Sequence, residues 1–256
     1  MTGMLFSVMM VVVGFIAQFV DGSLGMGYGV FSTSLLVGIG LLPAIASASV
    51  HTAEVFTTLI SGFSHWRLGN IKKELVLPMI IPGVIGAVGG AYLLTAIPGK
   101  AIKPYVASIL FVMGAVVLVR FVRKKNIVPN GEMTPLWKVV MLSLVAAFMD
   151  ALGGGGWGPI ATPSLILSGN HEPRKVVGSV NLVEFFVTVA AVITFLVRIG
   201  PEHFEWGIVA ALLIGGVIAA PIAAWICRRI PARALGVLIG ATLMVLNART
   251  LILSLF

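Results

Sequence analysis

The sequence predicts an all-α polytopic membrane protein made of two homologous halves arranged as inverted repeats. Each half is expected to be a glycine-broken or re-entrant hairpin followed by three transmembrane helices. Three observations lead there. Of 256 residues, 59% are hydrophobic and 10% charged, with a mean hydropathy of +1.09. That is more apolar surface than a chain of this length can hide from water. Apolar stretches long enough to cross or nearly cross a bilayer recur from end to end. Finally, residues 17–36 (AQFVDGSLGMGYGVFSTSLL) are echoed by residues 146–165 (AAFMDALGGGGWGPIATPSL).

The echo is specific. At an offset of 129 it matches Ala17/Ala146, Phe19/Phe148, Asp21/Asp150, Gly25/Gly154, Gly27/Gly156, Gly29/Gly158, Thr33/Thr162 and Leu36/Leu165. One extra residue in the second copy moves the offset to 130, and the match resumes at Pro43/Pro173, Ser49/Ser179, Val50/Val180, Glu54/Glu184, Phe56/Phe186 and Thr58/Thr188. A further pair, Ile97-Pro-Gly-Lys-Ala101 and Ile230-Pro-Ala-Arg-Ala234, extends the repeat beyond the glycine segments.

The elements follow in chain order. Segment 4–20 has neither a basic leader nor a small-residue cleavage site, so it reads as a retained helix and not a signal peptide. Segment 28–42 is short and follows a glycine cluster, the pattern of a helix broken at depth. Segments 44–64, 75–97 and 101–119 complete the first half. Segments 136–152, 157–169, 174–197, 206–227 and 234–255 repeat the order, with 157–169 again short and again after glycines. All read as helices, because lipid offers backbone groups no other partner. The expected organisation is one transporter domain, with repeat 1 over 1–122, repeat 2 over 136–256, and a basic cytoplasmic linker over 123–135 that carries Glu132 and Pro135.

Loop charges favour the re-entrant reading over eight ordinary spans, although 4–20 and 136–152 are about long enough to cross. If 4–42 and 136–169 return to their starting side, six full spans remain. Thirteen of the seventeen Lys and Arg then fall in cytoplasmic loops: Arg67, Lys72 and Lys73; Arg120, Arg123, Lys124, Lys125 and Lys138; Arg174 and Lys175; Arg228, Arg229 and Arg233. Lys100, Lys103, Arg198 and Arg249 stay outside or near the outer helix ends. Three spans per half is odd, so the halves have opposite orientation, a common plan for secondary transporters. The net charge of +8 is therefore topological and lipid-directed, with no implication of nucleic-acid binding. The single Cys227 excludes an intrachain disulfide and reads as a packing residue.

The candidate site residues lie where the repeat is strongest. Gly25, Gly27 and Gly29, with Gly22 before them, and Gly154, Gly156 and Gly158 permit sharp turns and close backbone approach. A helix restarting near Tyr28 or Trp157 directs free N–H groups and its positive dipole end at the protein centre, a place for an anion. Tight helix packing by small residues is the plainer alternative. Asp21 and Asp150 either cap the restarted helices or carry protons. Glu54 and Glu184 sit on the following helices. His51 precedes Glu54 by three residues, and Asn181 precedes Glu184 by three, which puts each pair on one helix face. His51 with Glu54 is the proton-sensitive pair, against the reading of polar contacts between helices. Ser49 and Ser179 add neutral donors beside the path, along with Ser47 and Thr52. Tyr28 and Trp157 are candidates to flank a substrate, whereas Trp66, Trp137 and Trp206 read as interfacial anchors. No Walker loop, zinc motif, nucleophile elbow or cysteine cluster occurs, so neither enzyme chemistry, metal, cofactor nor ATP coupling is expected.

With these residues the chain resembles the sulfite exporter TauE/SafE family, also called the toluene-sulfonate uptake permease family. The resemblance covers essentially the whole chain, and GGGGWGPIATPSLILSGNHEPRKVVGSVNL carries it best. The first half departs from the pattern, with GMGYG for a glycine run and Ser34 where the second half has Pro163. The resemblance implies a multi-pass permease of the bacterial inner membrane. It would move sulfite, an organosulfonate or a related small sulfur-containing anion, as a secondary transporter and most simply an exporter. A homodimer is an arrangement many permeases adopt, and no residue here argues for it. Two rivals remain: a cation transporter using Asp21, Asp150, Glu54 and Glu184, and a non-transporting membrane scaffold.

Overall fold

The computed structural model describes residues 2–123, 134–167, 171–227 and 232–255. Of the residues assigned above to the basic loops and linker, Lys124, Lys125, Glu132, Arg228 and Arg229 lie outside the described residues. The described chain is all-helical: α1 Thr2–Leu24, α2 Tyr28–Gly38, α3 Pro43–Arg67, α4 Lys73–Ala96, α5 Gly99–Val122, α6 Leu136–Gly153, α7 Trp157–Leu167, α8 Pro173–Ile199, α9 Trp206–Ile226 and α10 Ala232–Leu255, with a short 3-10 turn at Pro201–His203. Pro43 and Pro173 occupy the first turns of α3 and α8, where the missing N–H has no intrahelical partner to lose. The two short helices expected after the glycine clusters are α2 and α7, 11 residues each.

Among the described residues, six helices, α1, α4, α5, α6, α8 and α9, are long and apolar enough to cross a membrane. This set differs from the six spans expected from loop charges. α1 and α6 qualify by length, while α3 is long enough but carries a buried polar row, from Ser47 and Ser49 through His51, Glu54 and Thr58 to His65. The surface is inverted relative to a water-soluble protein. Leu77 and Ile81 are each 70% exposed, and Ile85 extends their stripe along α4. Ile214, Ile218 and Ile222 form a second stripe on α9. Apolar stripes outside and a polar interior need lipid around them. Trp66, Trp137 and Trp206 are exposed near helix ends, as expected of anchors, and Trp225 joins them.

The helices pair across the two halves. α1 lies along α9 and α4 along α6, α5 along α10, and α3 along α8. Gly215 presses on the backbone of Val11 and Phe15, and Gly86 and Gly90 press on that of Leu144 and Phe148, so small residues bring these pairs close. α1 and α9 run in the same direction, with Gly14 at Leu212 and Gly22 at Ala223; so do α4 and α6, with Gly83 at Ser143 and Gly90 at Ala151. α3 and α8 run antiparallel, Gly62 meeting Leu182 while the His51 ring meets that of Phe195 at a tilt. α5 and α10 are antiparallel too, Gly114 meeting Leu243 and Gly240 meeting Leu118. Two cavities open at opposite ends of α4 and α8. One, of about 560 Å³, is lined by Leu42, Thr95, Pro98, Arg198 and His203 among others. The second, of about 410 Å³, lies where α4 and α8 begin.

Candidate functional site

Both glycine turns are built alike. α1 ends as the Gly25 N–H donates to the Asp21 carbonyl at 2.6 Å, and α6 ends as the Gly154 N–H donates to the Asp150 carbonyl at 2.6 Å. Gly25 (φ +69°) and Gly154 (φ +72°) are left-handed, a conformation glycine adopts without a side-chain clash. The chain then doubles back, so a carboxylate seven residues upstream reaches the start of the next helix. Asp150 Oδ1 accepts from the N–H of Gly156 at 2.8 Å and of Trp157 at 3.1 Å. The Asp21 carboxylate stands at the matching place beside the Tyr28 N–H. Asp150 thus caps the first free donors of α7, and Asp21 is its counterpart at the start of α2.

The turns interlock. Thr33 donates its hydroxyl to the Gly154 carbonyl at 2.6 Å, and Thr162 donates to the Gly25 carbonyl at 2.5 Å. Thr33 and Thr162 are repeat partners, as are Gly25 and Gly154, so each half latches the other by the same bond. The backbones touch beside these bonds. A Cβ on Gly29 would sit 2.9 Å from the Gly154 oxygen, and one on Gly158 would sit 2.5 Å from the Met26 Cα. Only glycine fits at either place. Residues 25–30 and 154–159 are all buried.

Around this crossing lie the ionisable residues. His51 Nδ1–H donates to the Ser47 carbonyl at 2.8 Å, and Nε2 lies 3.1 Å from Asp150 Oδ2. The carbonyl fixes a proton on Nδ1, leaving one proton for Nε2 and the carboxylate to share; the pair is neutral overall wherever that proton sits. His51 makes no hydrogen bond to Glu54, its expected partner at three residues' spacing. Glu54, Glu184 and Asp21 each keep one buried carboxyl oxygen without a partner. The four carboxyls are close enough to feel one another's charge, and no Lys or Arg is among the buried residues described. Among the described residues no three His, Cys, Asp or Glu side chains group as a metal site.

The remaining sequence candidates separate. Trp157 is buried, its indole N–H donating to the Val180 carbonyl at 3.1 Å, and Tyr28 is buried beside Gly216 with its hydroxyl unpartnered. Ser49 accepts from the Glu205 N–H at 3.1 Å, just before α9, and Ser179 from the Lys72 N–H at 2.9 Å, just before α4. These two serines hold linkers at opposite ends of the bundle and do not meet the glycine turns. Asn181 accepts from the Ser61 hydroxyl at 2.6 Å and donates to the Val177 carbonyl at 3.3 Å. Gly27 (φ +129°) and Gly156 are the last turn residues before α2 and α7.

Sequence reasoning missed the latch. Thr33 and Thr162 stood in the matched repeat, and their equal distance from Tyr28 and Trp157 marked them as a pair. It also passed over Gln18, which is buried with neither amide atom partnered; a glutamine one turn before an intramembrane aspartate was a legible sign.

A family model described as Sulfite exporter TauE/SafE matches residues 10–250. The chain is 46% identical over 247 residues to the protein named "Probable membrane transporter protein YtnM" of Bacillus subtilis (strain 168), covering 94% of this chain and 81% of that relative. It is 25% identical over 230 residues to "Probable membrane transporter protein YdhB" of the same organism, covering 89% of this chain and 91% of the relative. No solved structure matches the chain.

Proposed function

The chain belongs to the sulfite exporter TauE/SafE family, and from that premise we propose that it is a secondary transporter exporting sulfite, an organosulfonate or a related small sulfur-containing anion. The observation that carries the reading is the crossing of two broken-helix turns, each latched to the other by a threonine and each with a buried aspartate beside it. Helix starts opposed at mid-membrane are anion sites when their caps are shared with substrate. With the turns in backbone contact this is a closed arrangement. Substrate enters when the hairpins part, from one end cavity or the other. Gly25, Gly27, Tyr28 and Gly29 then face Gly154, Gly156, Trp157 and Gly158 across it, with His51 and Asn181 on the flanking helices and Ser49 and Ser179 anchoring the linkers that must move.

The halves act as inverted repeats within one domain, repeat 1 over 1–122 and repeat 2 over 136–256. The antiparallel course of α3 against α8 and of α5 against α10 supports this, because equivalent helices of inverted repeats point opposite ways. The hairpins α1–α2 and α6–α7 enter from opposite sides. Asp21 and Asp150 hold the breaks, and Glu54 and Glu184, with His51, carry coupled protons; buried carboxyls outnumbering their cations need protons or a positive ion for balance.

Liposomes holding the purified protein test this by sulfite and sulfonate flux with and without an imposed pH gradient. Flux that follows the gradient is expected. Flux indifferent to it would make the acidic residues structural, and no flux of any sulfur anion would overturn the reading in favour of a scaffold. One observation favours a second reading, cation transport: the unpartnered oxygens of Asp21, Glu54 and Glu184. Asp21→Asn and Asp150→Asn separate the two. A cation site fails outright in these variants, whereas an anion site keeps binding and loses pH dependence.

A further inference from the structure

The second end cavity is lined by Ile71, Lys72, Lys73, Glu74, His171, Glu172 and Lys175. It lies at the end of the bundle where Arg67, Lys138 and Arg174 also fall, the end the positive-inside rule assigns to the cytoplasm. Within it Lys72 Nζ stands 3.1 Å from His171 Nδ1. An ammonium has donors only, so Nδ1 accepts and the ring proton is on Nε2. His171 is 8% exposed, and among the described residues no acceptor meets that Nε2. A buried N–H without an acceptor is an expensive arrangement, and a bound water or ion is one of its explanations.

The surroundings say which kind. Lys72 uses one ammonium proton on His171 and has two left. Lys73 and Lys175 add two further cations, against Glu74 and Glu172 on the same walls, and Glu172 is matched by Arg174 at 2.8 Å. The cavity is net positive. It is polar, about 410 Å³ in volume, and large enough for a small oxyanion with its remaining water. Its floor connects to the transport helices: the Lys72 N–H is held by Ser179 on α8, two residues before Asn181, and Asn70 packs on Gly178 while reaching the Ala224 carbonyl on α9.

We infer that this cavity is a docking site for a small oxyanion at the cytoplasmic mouth of the transporter, with the Lys72 ammonium and the His171 Nε2–H as its donors. The inference rests on the anion-transport reading for its role, but not for the binding itself. Burial and the Lys72 charge hold the His171 imidazole below its ordinary titration range, which keeps it a neutral donor that does not trap the anion.

The test has two arms on the full-length protein. In liposomes, Lys72→Met and His171→Phe are compared with wild type for sulfite presented at each face. Each variant is expected to raise the KM about tenfold at the basic face, the loss of one charge-assisted hydrogen bond, and to leave the opposite face unchanged. Lys72→Met keeps the backbone bond to Ser179, so a folding defect is not built into it. In the second arm, protein with 15N-labelled histidine in nanodiscs is titrated with sulfite, and the His171 Nε2–H resonance is expected to move. Unchanged KM in both variants overturns the inference, as does a resonance that answers to phosphatidylglycerol in the nanodisc instead of to sulfite. If wild type shows no flux, the transport reading fails by itself. A moving resonance then still upholds an oxyanion site, and a still one removes it.

Discussion

Replacing Thr162 by Val removes one half of the reciprocal latch at almost constant volume. The lost bond is a 2.5 Å contact from its hydroxyl to the Gly25 carbonyl, and both residues are fully enclosed. Gly25 lies in a left-handed turn, so its carbonyl has no ordinary helical partner to return to. Leaving a buried acceptor unsatisfied costs about 1–3 kcal/mol, whereas polar contacts between membrane helices average about 0.6 and reach about 1.7 kcal/mol. An enclosed turn belongs at the upper end of the second scale, giving about 1–2 kcal/mol. The same holds for Thr33→Val, whose bond to Gly154 is 2.6 Å. Unfolding of each single variant and the double variant in bicelles measures the loss. A cysteine at Met26, in a Cys227→Ala background, reports opening by its labelling with a water-soluble maleimide. A shift of 1.4 kcal/mol towards the open form raises labelling about tenfold. If stability and labelling are both unchanged in the double variant, the two bonds do not hold the turns together and the latch is wrong.

Other perturbations discriminate the parts of the site. Asp150→Ala removes the cap on two N–H groups and the His51 partner, and should cost about 3–5 kcal/mol as a broken buried pair. Asp21→Ala, with one oxygen already unpartnered, should cost less, about 1 kcal/mol; thermal unfolding in detergent ranks them. Gly158→Ala puts a Cβ 2.5 Å from the Met26 Cα and is expected to destabilise by about 1–3 kcal/mol. Gly27→Leu and Gly156→Leu should abolish flux while membrane insertion, read by blotting, persists. His51→Asn copies the residue found at Asn181, and flux in this variant should lose its response to a pH gradient while sulfite counterflow survives. Because the folded chain disfavours the charged His171, its contribution to stability is present above the ordinary imidazole value and is lost as pH falls through it; 15N titration of the histidines checks the direction.

Much of this architecture was legible in the sequence because membranes permit so few backbone solutions. The matched glycines and aspartates located both helix breaks, and Pro43 and Pro173 marked the following helix starts within a residue. What the sequence did not reveal is partnership across the halves. Spacing put His51 and Glu54 on one face of α3, but a shared face does not require contact, and the imidazole turns instead to Asp150 on α6. Ser49 and Ser179 were read as lining a path because they are polar and matched. Their hydroxyls face linkers 156 and 107 residues away in sequence, a relation no local pattern records. The loop charges counted α3 among the full spans, yet its apolar average is lowered by the buried polar row from Ser47 to His65.

The repeat is broken where function would break it. The second hairpin has Ala147, Trp157 and Ala161 at the positions where the first has Gln18, Tyr28 and Ser32. In the first half Gln18, Tyr28, Ser32, Asp21 and Glu54 all hold buried atoms without partners; in the second, of the equivalent positions, Glu184 alone does. Trp157 has its indole bonded and Asp150 has both oxygens bonded, so the second hairpin is satisfied in the closed form. The first is not. Unpartnered buried groups gain hydrogen bonds once water or a solute reaches them, so the proposed transport cycle predicts opening on the α1–α2 side, with the α6–α7 side holding its bonds. On that reading the two halves contribute unequally to the cycle. His51, present once and bonded to the satisfied hairpin, sits at the junction of the two, and the proposed mechanism predicts that the proton it shares with Asp150 exchanges only when the latch between Thr33 and Gly154 yields.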